Sequence, residues 1–118
     1  MTEDELQKRL EETLPDGGRH DLFVEECQDQ DVRLRFTPAN QSSATLLALA
    51  EIALRAAAGA EMSLTHLNVT ILREPQPADV ISLSRVIRRD GSMVHAEAWL
   101  FSHAVIEPML HATATLKR

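Results

Sequence analysis

From Ala44 to Ala58 the chain carries neither proline nor glycine, is built mainly of alanine and leucine, and holds only Glu51 and Arg55 as charges. Helix propensity is high throughout, which predicts one long helix with Ser42 or Ser43 as its N-cap and Gly59 as its C-cap. A surface helix needs a single apolar stripe, whereas one apolar on nearly every side has to be surrounded by protein. The rest of the chain must supply a layer that wraps this helix.

The residues after Gly59 supply such a layer. Met62 to Arg73, Ala78 to Arg89, Ser92 to Phe101 and Met109 to Lys117 alternate between faces, as in Leu67, Val69, Ile71 and in Val94, Ala96, Ala98, Leu100. Period two predicts half-buried antiparallel strands. Asp90 and Gly91 read as the central pair of a hairpin turn between the second and third strands, in a type I′ turn that needs positive φ at both residues. Strands of about ten residues reach roughly 33 Å and a helix of about 15 residues roughly 23 Å, so a twisted sheet covers the helix end to end. Ala96, Ala98, Ala112 and Ala114 make the inward face small, which lets the sheet curl closely around the helix.

Ahead of the helix, His20 to Phe36 reads as extended chain in two short pieces parted around Gln28 to Asp31. Leu6, Leu10 and Leu14 recur every four residues, which predicts a short amphipathic helix from Glu3, with Thr2 as N-cap and Glu3 to Glu5 at its positive end, stopped by the Pro15-to-Gly18 turn. The expected fold class is α+β, a long central helix wrapped by a curved antiparallel sheet with a short N-terminal helix. With 118 residues the chain suits one domain, residues 1–18 forming the helix and turn and residues 19–118 the wrapped core.

Composition removes several functions. The 12 basic and 18 acidic residues leave a net charge of −6, against non-specific nucleic-acid binding, which depends on Lys and Arg neutralising phosphates. Cys27 is the one cysteine and there is no Cys/His cluster, so neither a disulfide framework nor a zinc site is expected, and no metal or bound cofactor. The first residues are acidic where a targeting peptide is basic, and no stretch approaches the roughly 18 apolar residues of a membrane span. A cytoplasmic protein without membrane partners is the expectation.

Among residues able to do chemistry, Glu51 stands out as a carboxylate in the middle of the most apolar helix, where burial without a partner is costly. Arg55, one turn on, offers an ordinary i, i+4 ion pair. His20, His66, His95, His103 and His111 are scattered without metal spacing, and no serine lies in a Gly-x-Ser-x-Gly elbow. His111 reads as structural or solvated. Trp99 and Phe101 share a face opposite the Val94-to-Leu100 row and suit a subunit contact better than base stacking.

Three pieces carry a family resemblance. Residues 65–79, THLNVTILREPQPAD, resemble the strand and turn that follow the central helix in PaaI-like hotdog-fold acyl-CoA thioesterases. Residues 42–51, SSATLLALAE, are similar to the start of that helix, and residues 107–115, EPMLHATAT, to the family's last strand. They lie in the family's order and span roughly residues 35 to 116. The resemblance implies a hotdog fold whose subunits join their sheets side by side as a homodimer, often in a dimer of dimers. It also implies hydrolysis of an acyl-CoA thioester. Glu51 falls on the family's catalytic acid, acting as general base or nucleophile. Ser43 and Ala44 fall at the helix start, where unpaired N–H groups polarise the carbonyl. The family's glycine-rich turn is here Pro38 to Ala44, without glycine, and Asn40 or Gln41 offers a side-chain amide in its place. Coenzyme A needs a few cations beside a channel, for which Arg73, Arg88 and Arg89 are candidates, with Asn68 on a strand face beside His66 and Thr70. Two other functions compete: a non-catalytic acyl-CoA-binding or oligomerisation module, and a hydratase, for which the sequence shows no His–acid pair.

Overall fold

In the computed structural model, which describes residues 2–14, 18–28, 31–40, 42–74, 78–102 and 107–118, the long helix runs Ser43–Ala58. The turn residues 15–17, Gln41 and His103 lie outside these residues. Element order is α1 (Glu3–Thr13), β1 (Phe23–Gln28), β2 (Asp31–Phe36), α2 (Ser43–Ala58), β3 (Ser63–Ile71), β4 (Val80–Asp90), β5 (Met93–Ser102) and β6 (Pro108–Lys117). The strands form one antiparallel sheet in the order β1-β2-β4-β5-β6-β3. This is the expected α+β hotdog arrangement with its short N-terminal helix.

Ser42 is the N-cap of α2, its Oγ accepting from Thr45 N at 3.1 Å. The helix packs on β2, β4, β5 and β6. Ala50, Ala53, Ala56 and Ala57 are buried with Ala96, Ala98, Ala112 and Ala114 in one core. The wrapping is incomplete, contrary to the expectation from an all-round apolar helix. Ser43, Ala44 and Leu47 are exposed and Ala48, Glu51 and Arg55 half-buried, so one stripe of α2 is open to solvent. Small alanines let most of the helix sink into the sheet, and a single sheet cannot close over its far side.

The hairpin differs by one residue from the sequence expectation. Asp90 pairs with Met93, so Gly91 and Ser92 form the turn. Gly91 has φ +64 and Ser92 is not in the positive-φ region. Glycine at the first central position with an ordinary residue second is the pattern of type II′ rather than I′. His20 and Asp21 also leave the extended chain expected of them, with φ of 51 and 52, as the central residues of a turn that Leu22 N closes by donating to Arg19 O at 3.0 Å, and Thr37 N donates to His20 O at 2.8 Å.

One-residue bulges at Glu25, Thr65 and Ile87 reset the alternation. The bulge at Thr65 lets Leu64 and Leu67, three apart, both lean on the core. Further along β3, Val69 is only partly buried and Ile71 is 47% exposed. They share inward rows with Ala112 and Leu110 of β6, and α2 does not extend over them.

The two sheet edges are treated differently. Edge strand β1 is covered by α1, which carries the expected Thr2 cap in a full capping box with Glu5. Leu6 and Leu10 are buried, each worth about 1.5–3 kcal/mol. The Gln7 side chain bonds β1 as a peptide group would: its Oε1 accepts from Val24 N at 2.7 Å and its Nε2 donates to Leu22 O at 3.1 Å. Glu3 accepts from Cys27 N at 3.2 Å. Edge strand β3 has no such cover among the described residues.

On the outer face, Trp99 stacks on His111 with ring centroids 3.9 Å apart. His111 Nε2 lies 3.1 Å from Glu97 Oε1, and Arg85 donates to Glu97 Oε2 at 2.8 Å. Glu97 is 13% exposed. Burial pushes its carboxyl up, but the hydrogen bonds from His111 and Arg85 and their charges outweigh it and leave the group below the usual glutamate range. Among the described residues no group of His, Cys, Asp and Glu is set to hold a metal, and no helix is long and apolar enough to cross a membrane.

Two outcomes follow. Gln7→Ala, which strips two bonds from the covered edge, lowers stability by about 1–2 kcal/mol in urea unfolding and speeds amide exchange in β1. For Glu97, the unfolded chain binds more protons between the ordinary value and the lower folded one. Its ionisation therefore stabilises fully above the ordinary range and is lost as pH falls through the folded value. Thermal melts should show wild type losing more stability than Glu97→Gln between about pH 5 and 3.

Candidate functional site

The start of α2 and its middle turn make up the candidate site. Ser43 and Ala44 follow the Ser42 cap as the first two helical residues, and both are exposed. Their N–H groups have no intrahelical acceptor by position, and the positive end of the helix dipole adds to their pull on an oxyanion. Thr45 Oγ1 donates to Asn40 Oδ1 at 2.8 Å and contacts Ser42 Oγ at 3.0 Å. Asn40 thus folds the glycine-free loop onto the first helical turn, with its NH2 group as the remaining donor.

Glu51 is held rather than buried. Arg55 Nη2 donates to Glu51 Oε1 at 3.1 Å, while Arg55 Nη1 donates to Met62 O at 2.7 Å and so is pinned to the chain entering β3. The side chains are 43% and 31% exposed, a setting in which such a pair adds only about 0.3–0.5 kcal/mol. Its effect is orientation: among the described residues Oε2 has no hydrogen-bond partner. A cavity of about 230 Å³ opens at this carboxylate, floored by Leu10 and Ile52. An oriented carboxylate oxygen at the mouth of a cleft can take a proton from water or attack a carbonyl carbon.

Ser43 and Glu51 are eight residues apart, about 12 Å along a helix. One chain does not bring them to the same carbonyl. The candidate coenzyme A contacts are also apart. Arg73 follows β3 and pairs with Glu107, near the end of the sheet where β4 begins. Arg88 and Arg89 lie at the hairpin end, Arg88 donating to Asp90 at 2.9 Å. Asn68 shares an outer-face row with Thr113 and Glu97, on the far side of the sheet from α2.

The outer face holds a larger cavity, about 400 Å³, beside Leu83, Trp99, Arg33 and Arg85. Size does not choose the site here, because both arginines are already held by carboxylates, Arg33 by Glu25 and Arg85 by Glu97. The His111–Glu97 pair is the His–acid contact that the sequence did not show. Its members are 14 residues apart and meet only through the β5–β6 register, which sets Trp99 against His111 and Glu97 diagonally beside it.

No family profile and no curated protein matches the sequence. Solved structures do match. Zebra fish thioesterase superfamily member 2 superimposes with a TM-score of 0.82 at 14% identity, over 99% of this chain and 98% of that one. The Escherichia coli PaaI protein from the phenylacetic acid degradation operon gives 0.77 at 10% identity, over 98% and 95%. A hypothetical thioesterase from Streptococcus pneumoniae, crystallised with coenzyme A, gives 0.78 at 8% identity, over 94% of each. The chain has the hotdog fold of these thioesterase structures.

Proposed function

We propose that the protein is an acyl-CoA thioesterase in which Glu51 is the general base or nucleophile. The observation that carries this is the half-exposed Glu51 carboxylate, set by Arg55 at the mouth of an apolar-floored cleft. In the general-base form, Glu51 takes a proton from water as the water oxygen bonds to the thioester carbonyl carbon. The C–S bond then breaks, the acid is released, and the coenzyme A thiolate recovers the proton. Negative charge on the carbonyl oxygen is met by the N–H groups of Ser43 or Ala44, with the Asn40 amide as a neighbouring donor.

The 12 Å spacing within one helix supports a site shared by two chains. A second copy added along β3 covers nine residues of open edge and the bare inward side of Val69 and Ile71. A two-fold axis there sets the two α2 helices antiparallel on one face of a continuous sheet. The start of one then runs toward Glu51 of the other. A pairing of two such dimers through the Trp99 face is compatible with this homodimer. Coenzyme A is the leaving group, as the ligand of the pneumococcal neighbour suggests. Arg73, Arg88, Arg89 and Asn68 are all exposed and are its candidate contacts, with Arg73 and Arg88 exchanging a carboxylate partner for phosphate. We place this activity in the cytoplasm.

The test is free-thiol release from short, medium, long and aryl acyl-CoAs, comparing wild type with Glu51→Ala at matched melting temperature and oligomeric state. Wild type turns over, and the variant loses about a hundredfold or more in kcat. Activity surviving in the variant overturns the role of Glu51. No turnover in either protein favours the acyl-CoA-binding or oligomerisation module, for which the glycine-free loop and the Glu51–Arg55 ion pair speak.

A further inference from the structure

An i, i+4 ion pair on a helix needs only its two side chains, and a half-exposed glutamate in such a pair is free to leave it. Arg55 makes a further contact that an ordinary pair does not require. Its Nη2 donates to Glu51 Oε1 at 3.1 Å, while its Nη1 donates to Met62 O at 2.7 Å. The shorter of the two bonds is the one to the backbone.

That stretch of backbone is held from both sides. Gly59, at φ +139, ends α2 with its N–H donating to Arg55 O at 2.8 Å, and Met62 N donates to Gly59 O at 3.1 Å. Met62 is buried, and the residues that follow it, Ser63 and Leu64, pair with Lys117 and Leu116 of β6. The Met62 carbonyl therefore has a fixed place on the sheet. A charge-assisted bond to it anchors the guanidinium independently of Glu51, and the planar fork then presents its other N–H groups in one direction. The carboxylate is located against the start of β3 as well as against its own helix.

We infer that Arg55 is a positioning residue, which registers the Glu51 carboxylate against the strand along which the second copy pairs. In a shared site the carboxylate and the helix-start N–H come from different chains, and the sheet continuous through β3 is what the two chains have in common. A carboxylate tied to β3 keeps its place relative to the other chain, which a carboxylate tied only to α2 does not. This rests on Glu51 acting at the thioester. It gives the ion pair a task in that chemistry without any contact between Arg55 and the substrate.

The test compares wild type, Arg55→Lys, Arg55→Met, Glu51→Gln and the Glu51→Gln, Arg55→Met double variant on a panel of acyl-CoAs at matched melting temperature and oligomeric state. Lysine keeps the charge and the stem but lacks the fork, and methionine keeps only the stem. Misplacement of a catalytic group by about an ångström costs up to about a hundredfold. Arg55→Lys should therefore lose about tenfold in kcat and Arg55→Met about a hundredfold, with KM within about twofold of wild type. In the Glu51→Gln background Arg55→Met should lose nothing further, because a residue that acts through Glu51 then has no base left to place. An active, Glu51-dependent wild type whose kcat survives in Arg55→Lys overturns the positioning role and leaves the Glu51 chemistry intact. A raised KM, or a further loss in the Glu51→Gln background, also overturns it by making Arg55 a direct substrate contact. A wild type without turnover overturns both the positioning role and the reading of Glu51. If Arg55→Met fails to match wild type in fold, Arg55→Lys decides alone.

Discussion

Small side chains on both sides of one contact set the geometry of this protein. Ala50, Ala53, Ala56 and Ala57 on α2 and Ala96, Ala98, Ala112 and Ala114 on the sheet are buried together, and Ser82 and Ser84 lie buried in the same inward rows. A long helix can therefore sit deep against a curved sheet, as larger side chains would not allow. The Ser82 and Ser84 hydroxyls have no hydrogen-bond partner among the described residues, each a cost of about 1–3 kcal/mol that closeness between helix and sheet offsets. Depth on one side leaves the other side bare, and Glu51 sits on that bare stripe.

The two edges of the sheet then take separate roles. At β1 the Gln7 amide and α1 satisfy the edge within the chain, and the end of α1 becomes a wall beside Glu51. At β3 nine residues remain open among the described residues, with Val69 partly buried and Ile71 47% exposed. An edge strand that is apolar on its inner side and uncovered among the described residues is a template for pairing. The chain thus covers one edge by itself, and in the proposed dimer the other receives a second copy, which reconciles the separation of Ser43 and Glu51 by about two turns of one helix with a shared site.

Much of this was legible in the residues. The mainly apolar run at Ala44 to Ala58, the period-two strands and the Thr2 cap followed from local physics, and the element bounds moved by only a residue or two except at β1, which starts three residues after His20. The turn falls at Gly91–Ser92 rather than Asp90–Gly91 because Asp90 continues the β4 ladder by pairing with Met93, and the register of the two strands overrides the local Asp-Gly signal. The bulges at Glu25, Thr65 and Ile87 carry no local mark; each appears only when two strands are matched. Glu51 was found as an anomaly of polarity, but its half exposure depends on how far the sheet reaches round α2. Gln7, an ordinary surface residue on a helical wheel, and the His111–Glu97 contact were out of reach, since both join segments far apart in the chain.

The proposed working site takes Glu51 from one chain and the helix-start N–H from another. Proline is favoured at the first helical position and has no N–H, and Ser42, at φ −127 and ψ 164, already has the extended backbone that must precede it. Ser43→Pro therefore removes that donor while the helix stays capped. The decisive measurement is thioesterase activity of Ser43→Pro and Glu51→Ala, each alone and then co-refolded in equal amounts. Both should be inactive alone, and the mixture should recover about a quarter of wild-type activity, because each mixed dimer holds one intact site. An active Ser43→Pro variant would move the donor to Ala44, and a mixture of inactive variants that stays as inactive as its parts would contradict the shared site.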